Sequence, residues 1–353
     1  MEASQEDAIL QLKSLMDKVD SSLEETFQNV HQGFPIETMV RFLKAREWNA
    51  AKAHKMLVDC LKWRIQNGID DILSKPIVPV DLYKSIRDSQ LVGMSGYSRE
   101  GLPVIAVGVG QSTYDKASVK LRVFLSIMFN LRFSQVHYYI QSHIQMNEYR
   151  DRVLLPGASK KYGRRIGTCV KVLDMTGLKI SALSQIKLLT AISTIDDLNY
   201  PEKAEKYYIV NAPYIFSSCW KVVKPLLQER TRRKVQVLSG SGKDELLQIM
   251  DSSSLPHFCT REVSSSYKHR LNGVVPSCFS LDHTFHQQFY AYVEKQASLR
   301  QSDTPVRQGS IHVECPSPDP DDAAIVKTIE NEFHKLADRN GVSDSLNGLK
   351  IKQ

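Results

Sequence analysis

Apolar residues Ile9, Leu12, Met16, Val19 and Leu23 recur every three or four positions, the spacing of one face of a helix. Ser21 with Glu24 and Ser22 with Glu25 offer capping boxes for a fresh start near residue 22, and Gly33 breaks the run. Pro35 suits a first helical position, and Met39, Phe42 and Leu43 make the next apolar face. Asn49 can cap a helix running through Ala53, Leu57, Cys60 and Leu61 to Gly68. The pattern predicts an all-helical head of roughly seventy residues.

Two prolines between Ile69 and Val80 mark a connector, and from Ser89 the texture turns to β. Leu91–Met94, the turn material GYSREG and Leu102–Val109 read as a hairpin. An amphipathic helix is expected from about Ser118 to Tyr149, with Leu121, Phe124, Leu125, Met128, Leu131, Tyr139, Ile140 and Ile144 on one face. Thr168–Leu173 reads as a buried strand stopped at Asp174, and Ala182–Ile195 as a helix. Tyr207–Val210 is a second buried strand, ended by Asn211-Ala212-Pro213. Next comes an unusually apolar helix in which Ile215, Phe216, Cys219, Trp220, Val222 and Val223 recur at helical spacing until Pro225. Lys234–Leu238 then closes a strand, helix, strand unit. A helix this apolar is either core or lid, and the general rule for apolar stripes favours core. Alternating strands and helices after a helical head imply an α/β domain with a mainly parallel sheet.

Further on, Lys243–Met250 reads as a short helix and Leu281–Leu299 as a longer one. Residues 301–322 hold four of the fourteen prolines and read as a linker. Ile325, Ile329, Phe333 and Leu336 would align on a last helix. The boundaries expected are 1–75 for the head, 76–265 for the α/β domain, 266–300 for a helical extension, 301–322 for the linker and 323–353 for the last helix and tail.

At 353 residues the chain exceeds one average domain, which accommodates this division. The net charge of +7 favours acidic surfaces as partners but is well short of a nucleic-acid-binding composition, so on composition alone anionic lipid and nucleic acid both stay open, and no nucleic acid is expected only once the resemblance given below is added. Six scattered cysteines at 60, 169, 219, 259, 278 and 315 show neither a CxxC pair nor a zinc spacing, which points to reduced thiols and a cytosolic protein. The acidic start MEASQEDAIL is unlike a signal peptide, and there is no run of about eighteen apolar residues.

Enzyme motifs fail. GSGKDE lacks the earlier glycine and the Ser/Thr of a phosphate loop, Gly108-Val109-Gly110 lacks the third glycine of a dinucleotide site, and GxSxG and HExxH are absent. His283 and His286 have a metal-ligand spacing without a completing cluster and read as surface histidines. Asp174 reads as a turn acceptor rather than a catalytic carboxylate. The remaining polar residues each have a plain explanation: Arg41 and Arg46 as helix-surface arginines, Glu202 as an acid beginning a helix, and Thr231 and Lys234 as part of the solvated run RTRRK.

Taken together, RFLKAR at 41–46, Trp63-Arg64, YPE at 200–202, YYIVNAP, Lys224-Pro225, Thr231, Lys234 and Leu255-Pro256 resemble the CRAL-TRIO family in content and order. Within it they resemble the fungal and plant phosphatidylinositol/phosphatidylcholine transfer proteins, over roughly residues 35–265. The resemblance implies an N-terminal helical bundle before a lipid-binding domain whose sheet floors a hydrophobic cavity. Pro213–Lys224 would be its gate helix, with Ile215, Phe216, Cys219, Trp220 and Val223 facing acyl chains. It further implies that Arg46, Glu202, Thr231 and Lys234 bind a phosphatidylinositol headgroup, lysine and threonine at the phosphodiester and the carboxylate at inositol hydroxyls. Where relatives that also carry phosphatidylcholine have a serine and a threonine, this chain has Cys169 and Lys171, which argues against choline as the counter-ligand.

The function expected is phosphatidylinositol binding and intermembrane phospholipid transfer by a monomer. It would have no covalent chemistry, cofactor or metal, exchange phosphatidylinositol and a second lipid, and associate transiently with membranes from the cytoplasm. The alternative is a lipid-sensing signalling adaptor that presents phosphatidylinositol to a lipid kinase or recruits other partners. A carrier of a non-phospholipid hydrophobe is disfavoured by the complete headgroup set.

Overall fold

The computed structural model describes residues 2–113, 136–178, 186–227, 229–260, 277–300 and 320–339. Four helices form the head: α1 (Glu2–Met16), α2 (Ser21–His31), α3 (Pro35–Ala45) and α4 (Ala50–Asn67). Their shared core is built from Leu12, Leu23, Phe42, Leu43, Leu57 and Leu61, all at the positions the periodicity marks. Asn49 caps α4 by accepting from the Lys52 amide, and Gly68 ends it in the left-handed region at φ 58°. The cap of α2 is Asp20, which accepts from the Leu23 amide, rather than either serine of the expected capping boxes. An aspartate there also places negative charge at the positive end of the helix.

Between head and sheet, a 3-10 turn (Ile69–Ser74) is followed by a helix over Val80–Ser89. The sequence reading treats this region only as a connector. The helix buries Leu82, Tyr83, Ile86 and Arg87, a face too short to stand out by periodicity and interrupted by a charge.

Five strands form one sheet in sequential order: β1 (Val92–Tyr97), β2 (Pro103–Gly108), β3 (Cys169–Asp174), β4 (Ala204–Val210) and β5 (Val235–Val237). β1 and β2 are the expected antiparallel hairpin, and every later pairing is parallel, with Ala106 opposite Val172, Val172 opposite Tyr208 and Tyr208 opposite Gln236. Alternate residues feed two cores because successive strand side chains leave opposite faces. Met94, Ile105 and Cys169 pack under Ile140, Ile144, Tyr149 and Phe289. Val104, Ala106, Val170, Val172 and Val210 pack against Leu155, Leu246, Met250 and Phe258 on the other side. Burial on both faces is what a mainly parallel sheet requires.

The helix expected over 118–149 is seen as Val136–Tyr149, continuing through a π-helical turn (Arg150–Leu154) into Leu155–Tyr162; its first part lies outside the described residues. Ile186–Asn199 forms the helix before β4, again with its expected start outside the described residues. A helix over Tyr214–Val223 and a short one over Glu229–Lys234 connect β4 to β5, so Thr231 lies within a helical turn and Lys234 ends it instead of opening the last strand. Helices over Thr284–Arg300 and Pro320–Arg339 complete the described chain.

A buried ionic cluster ties head to sheet domain. Arg64 of α4 makes a two-pronged pair with Glu148 at 2.8 and 2.9 Å and reaches Asp70 at 2.6 Å. Arg152 meets Glu148 at 2.9 Å, and the Tyr200 hydroxyl donates to it at 2.7 Å. Burial pushes the Glu148 carboxyl up, but Arg64 and Arg152 prevail and hold it below the usual carboxylate range.

Candidate functional site

Tyr200-Pro201-Glu202 leaves the Ile186–Asn199 helix and turns into β4. Glu202 sits in this turn at φ 59°, not at a helix start, so the helix-dipole explanation of its charge does not hold. A non-glycine residue in the left-handed region costs about 1–2 kcal/mol, and such positions concentrate at functional sites. The turn aims Glu202 at the last residue before β5. Lys234 Nζ lies 2.6 Å from Glu202 Oε2 and also donates to the Ala204 carbonyl at 3.1 Å. Arg230 Nη1 approaches Glu202 Oε1 at 3.4 Å and donates to the Lys44 carbonyl at the end of α3 at 3.1 Å.

These side chains and Thr231 line a small pocket of about 80 Å³ at the N-terminal ends of β4 and β5. Its inner wall is charged. Lys171 on β3 meets Asp196 at 3.4 Å, and Asp196 also receives His143 at 2.6 Å and the Asn147 amide at 2.7 Å. Burial raises the Asp196 carboxyl, but His143 and Lys171 override it and keep the group ionised well below its ordinary range. Lys203, at another wall, is drawn down to about 8 by burial, against the pull of Asp151 at 3.0 Å. The pocket thus pairs acceptors suited to hydroxyls with cations suited to a phosphate, in a space for a compact polar group rather than a chain.

Of the four headgroup residues expected from the sequence, Glu202, Thr231 and Lys234 meet here. Arg46 does not join them. It ends α3 and turns its guanidinium back to the Ala45 carbonyl at 3.0 Å, lining a neighbouring groove of about 330 Å³ with Met56, Trp63 and Leu198. Its neighbour Ala45 does line the pocket, so the end of α3 borders both spaces.

Arg41, expected on a helix surface, is buried, paired with Glu37 at 2.6 Å and donating to Thr38 at 2.8 Å. In the sequence Arg230 is only one member of a charge run, and Asp196 stands in no motif. Neither carries a motif; each acquires its role because the crossover helices bring distant segments to the same strand ends. Cys169 is buried with its thiol 3.5 Å from the Lys203 carbonyl. Lys171 is engaged by Asp196 at 3.4 Å, so neither position presents a hydroxyl to the pocket.

The Tyr214–Val223 helix is not deep core. Tyr214 is 81% exposed, Lys221 and Val222 are exposed, and Phe216 and Trp220 are half-buried and stacked with centroids 6.0 Å apart. The side chains of Ile215, Cys219 and Val223 lie outside those described.

Two other expectations are settled by packing. Asp174 accepts from the Thr176 amide and hydroxyl at 3.0 and 2.6 Å and from Asn211 at 2.8 Å, a turn acceptor as the sequence suggests. His286 is no surface histidine: it is 2% exposed, with Nε2 3.1 Å from the Cys278 carbonyl and Nδ1 3.5 Å from Arg87. Its helix turns inward between Phe285 and Phe289, a side that spacing alone does not reveal. Among the described residues no group of three potential metal ligands occurs, and no helix is long and apolar enough to cross a membrane.

The chain belongs to the CRAL-TRIO family. The family model for the CRAL/TRIO domain matches residues 87–260, and that for the CRAL/TRIO N-terminal domain matches residues 8–59. The chain is 30% identical over 223 residues to the phosphatidylinositol/phosphatidylcholine transfer protein SFH9 of Arabidopsis thaliana. That match covers 63% of this chain and only 36% of the relative's length. It is 30% identical over 230 residues to the SEC14 cytosolic factor of Eremothecium gossypii, covering 62% of this chain and 67% of that protein. A Sec14 cytosolic factor of Schizosaccharomyces pombe is 26% identical over 228 residues, covering 62% and 72%.

Proposed function

We propose that this protein binds phosphatidylinositol and transfers phospholipid between membranes, exchanging one lipid at a time past the Tyr214–Val223 helix. The observation that carries the reading is the convergence of Glu202, Thr231, Lys234 and Arg230 on one polar pocket, in a chain whose relatives include proteins named for phosphatidylinositol and phosphatidylcholine transfer. The phosphodiester would sit against Lys234 and Thr231, with Arg230 alongside. Glu202 would accept from inositol hydroxyls once the phosphate draws Lys234 away. Arg46 would contribute from the adjoining groove. The apolar helix would be the element that meets a bilayer, a reading supported by half-buried Phe216 and Trp220 beside exposed Lys221 and Lys224.

Energetics divide the labour. Sequestering some thirty methylenes is worth roughly 25 kcal/mol relative to water, but a donor membrane offers nearly the same. Selection therefore rests on headgroup contacts, at about 1.5–3 kcal/mol for each charge-assisted bond. Extraction of lipid from the purified, intact protein followed by mass spectrometry tests the reading. Phosphatidylinositol is expected as a bound species at near-stoichiometric level, and its absence would exclude the headgroup assignment.

A further inference from the structure

The Pro320–Arg339 helix packs along the Tyr214–Val223 helix and also touches the Ile186–Asn199 helix. Ile325, Val326, Thr328, Ile329 and Glu332 are half-buried, whereas Ala323, Ala324, Lys327, Asn331 and Lys335 are exposed, so one stripe of this helix faces its neighbours. The two partners differ in charge. Residues 320–339 contain five acidic and three basic residues, and residues 214–234 contain six basic residues and one acidic.

We propose that the Pro320–Arg339 helix is a detachable cover for the gate helix, displaced when the protein meets an anionic bilayer. The inference rests on the reading of Tyr214–Val223 as the element that engages the membrane. An acidic amphipathic helix gives that apolar, cation-flanked segment both things a bilayer surface would give it: an apolar contact and negative charge. Cover and membrane therefore compete for the same face, and the equilibrium moves by the difference between the two affinities. The cover has room to leave. Nineteen residues, 301–319, separate it from the preceding helix, a contour of roughly 60 Å when extended. Off the membrane the apolar helix stays covered; at an anionic surface it is released where opening is useful.

The test uses the full chain, the Ile325→Ser/Ile329→Ser variant and a chain ending at Arg300. It reads flotation with vesicles of phosphatidylcholine containing phosphatidylserine, and amide exchange over residues 214–223. Both changes should raise vesicle binding and local exchange roughly threefold or more, with the larger effect in the truncation, because each weakens the competing contact. Unchanged exchange over 214–223 in the folded double variant would overturn the proposal. So would a fall in vesicle binding, which would make the last helix a membrane anchor instead of a cover. A thermal melt of each variant, with native amide exchange elsewhere in the sheet, confirms that the fold is retained. Neither readout requires lipid transfer, so a protein that carries no phosphatidylinositol would sink the transfer reading and leave this one standing or falling on its own data.

Discussion

Replacing Lys234 with alanine should remove phosphatidylinositol selectivity while leaving the fold nearly intact. In the lipid-free protein its ammonium sits 2.6 Å from Glu202, but the side chains are 24% and 15% exposed and Arg230 remains 3.4 Å from the same carboxylate. Loss of such a partly solvated pair should cost the fold no more than about 1 kcal/mol. With lipid bound, the missing contact is a charge-assisted bond to phosphate, worth about 1.5–3 kcal/mol. That corresponds to a roughly 10- to 150-fold loss of phosphatidylinositol occupancy relative to the donor bilayer. Glu202→Gln keeps the shape and removes one acceptor charge, so its loss should be smaller. Because the two residues touch, the double variant should lose less than the two single losses combined. The assay is transfer of labelled phosphatidylinositol between vesicles, with a second labelled phospholipid in parallel and a thermal melt for each variant. If Lys234→Ala carries phosphatidylinositol like the unmodified protein, or loses all lipids in equal proportion, the headgroup reasoning is refuted.

Two further predictions concern the scaffold. Glu148→Ala should destabilise the protein by about 3 kcal/mol in denaturant titration, since it leaves the buried Arg64 guanidinium with Asp70 as its one remaining carboxylate among those described and removes the acceptor of Tyr200; a loss under about 1 kcal/mol would show that the cluster does not hold the head to the sheet. His286 is pushed down to about 3 by burial and by Arg87, below its ordinary 6.5, so between those values the unfolded chain binds a proton that the folded chain refuses. Its contribution is present above pH 6.5 and is lost as pH falls, by roughly 2 kcal/mol at pH 5. His286→Gln, which retains a donor for the Cys278 carbonyl, should show that much less acid sensitivity between pH 7 and 5 in denaturation midpoints, and an identical pH slope in both proteins would contradict the assignment.

How much was legible beforehand depended on the range of the interactions involved. The helical head could be read from periodicity because Leu12, Phe42, Leu57 and Leu61 repeat at spacings set by the helix itself. The hairpin and parallel strands were marked by short β-branched runs between turn residues, and the family by motifs kept in order. Glu202, Thr231 and Lys234 could be picked out because they sit in those motifs. Residues without a local pattern could not be assigned: Arg41 and His286 look like surface groups until their helices are packed, and the Val80–Ser89 helix is too short to announce itself.

The sequence by itself determined the kind of element at most positions and the order in which they come, because helix and strand periods, caps and turns are decided by neighbours within a few residues. Tertiary structure alone decided that Glu202 leaves its turn toward Lys234, that Arg46 faces the next groove, that Arg230 and Asp196 join the pocket wall, and that the last helix lies on the Tyr214–Val223 helix. Each is a meeting of segments far apart in the chain. Which of them meet is fixed by the parallel crossovers and by which face each helix buries, and no local spacing records that.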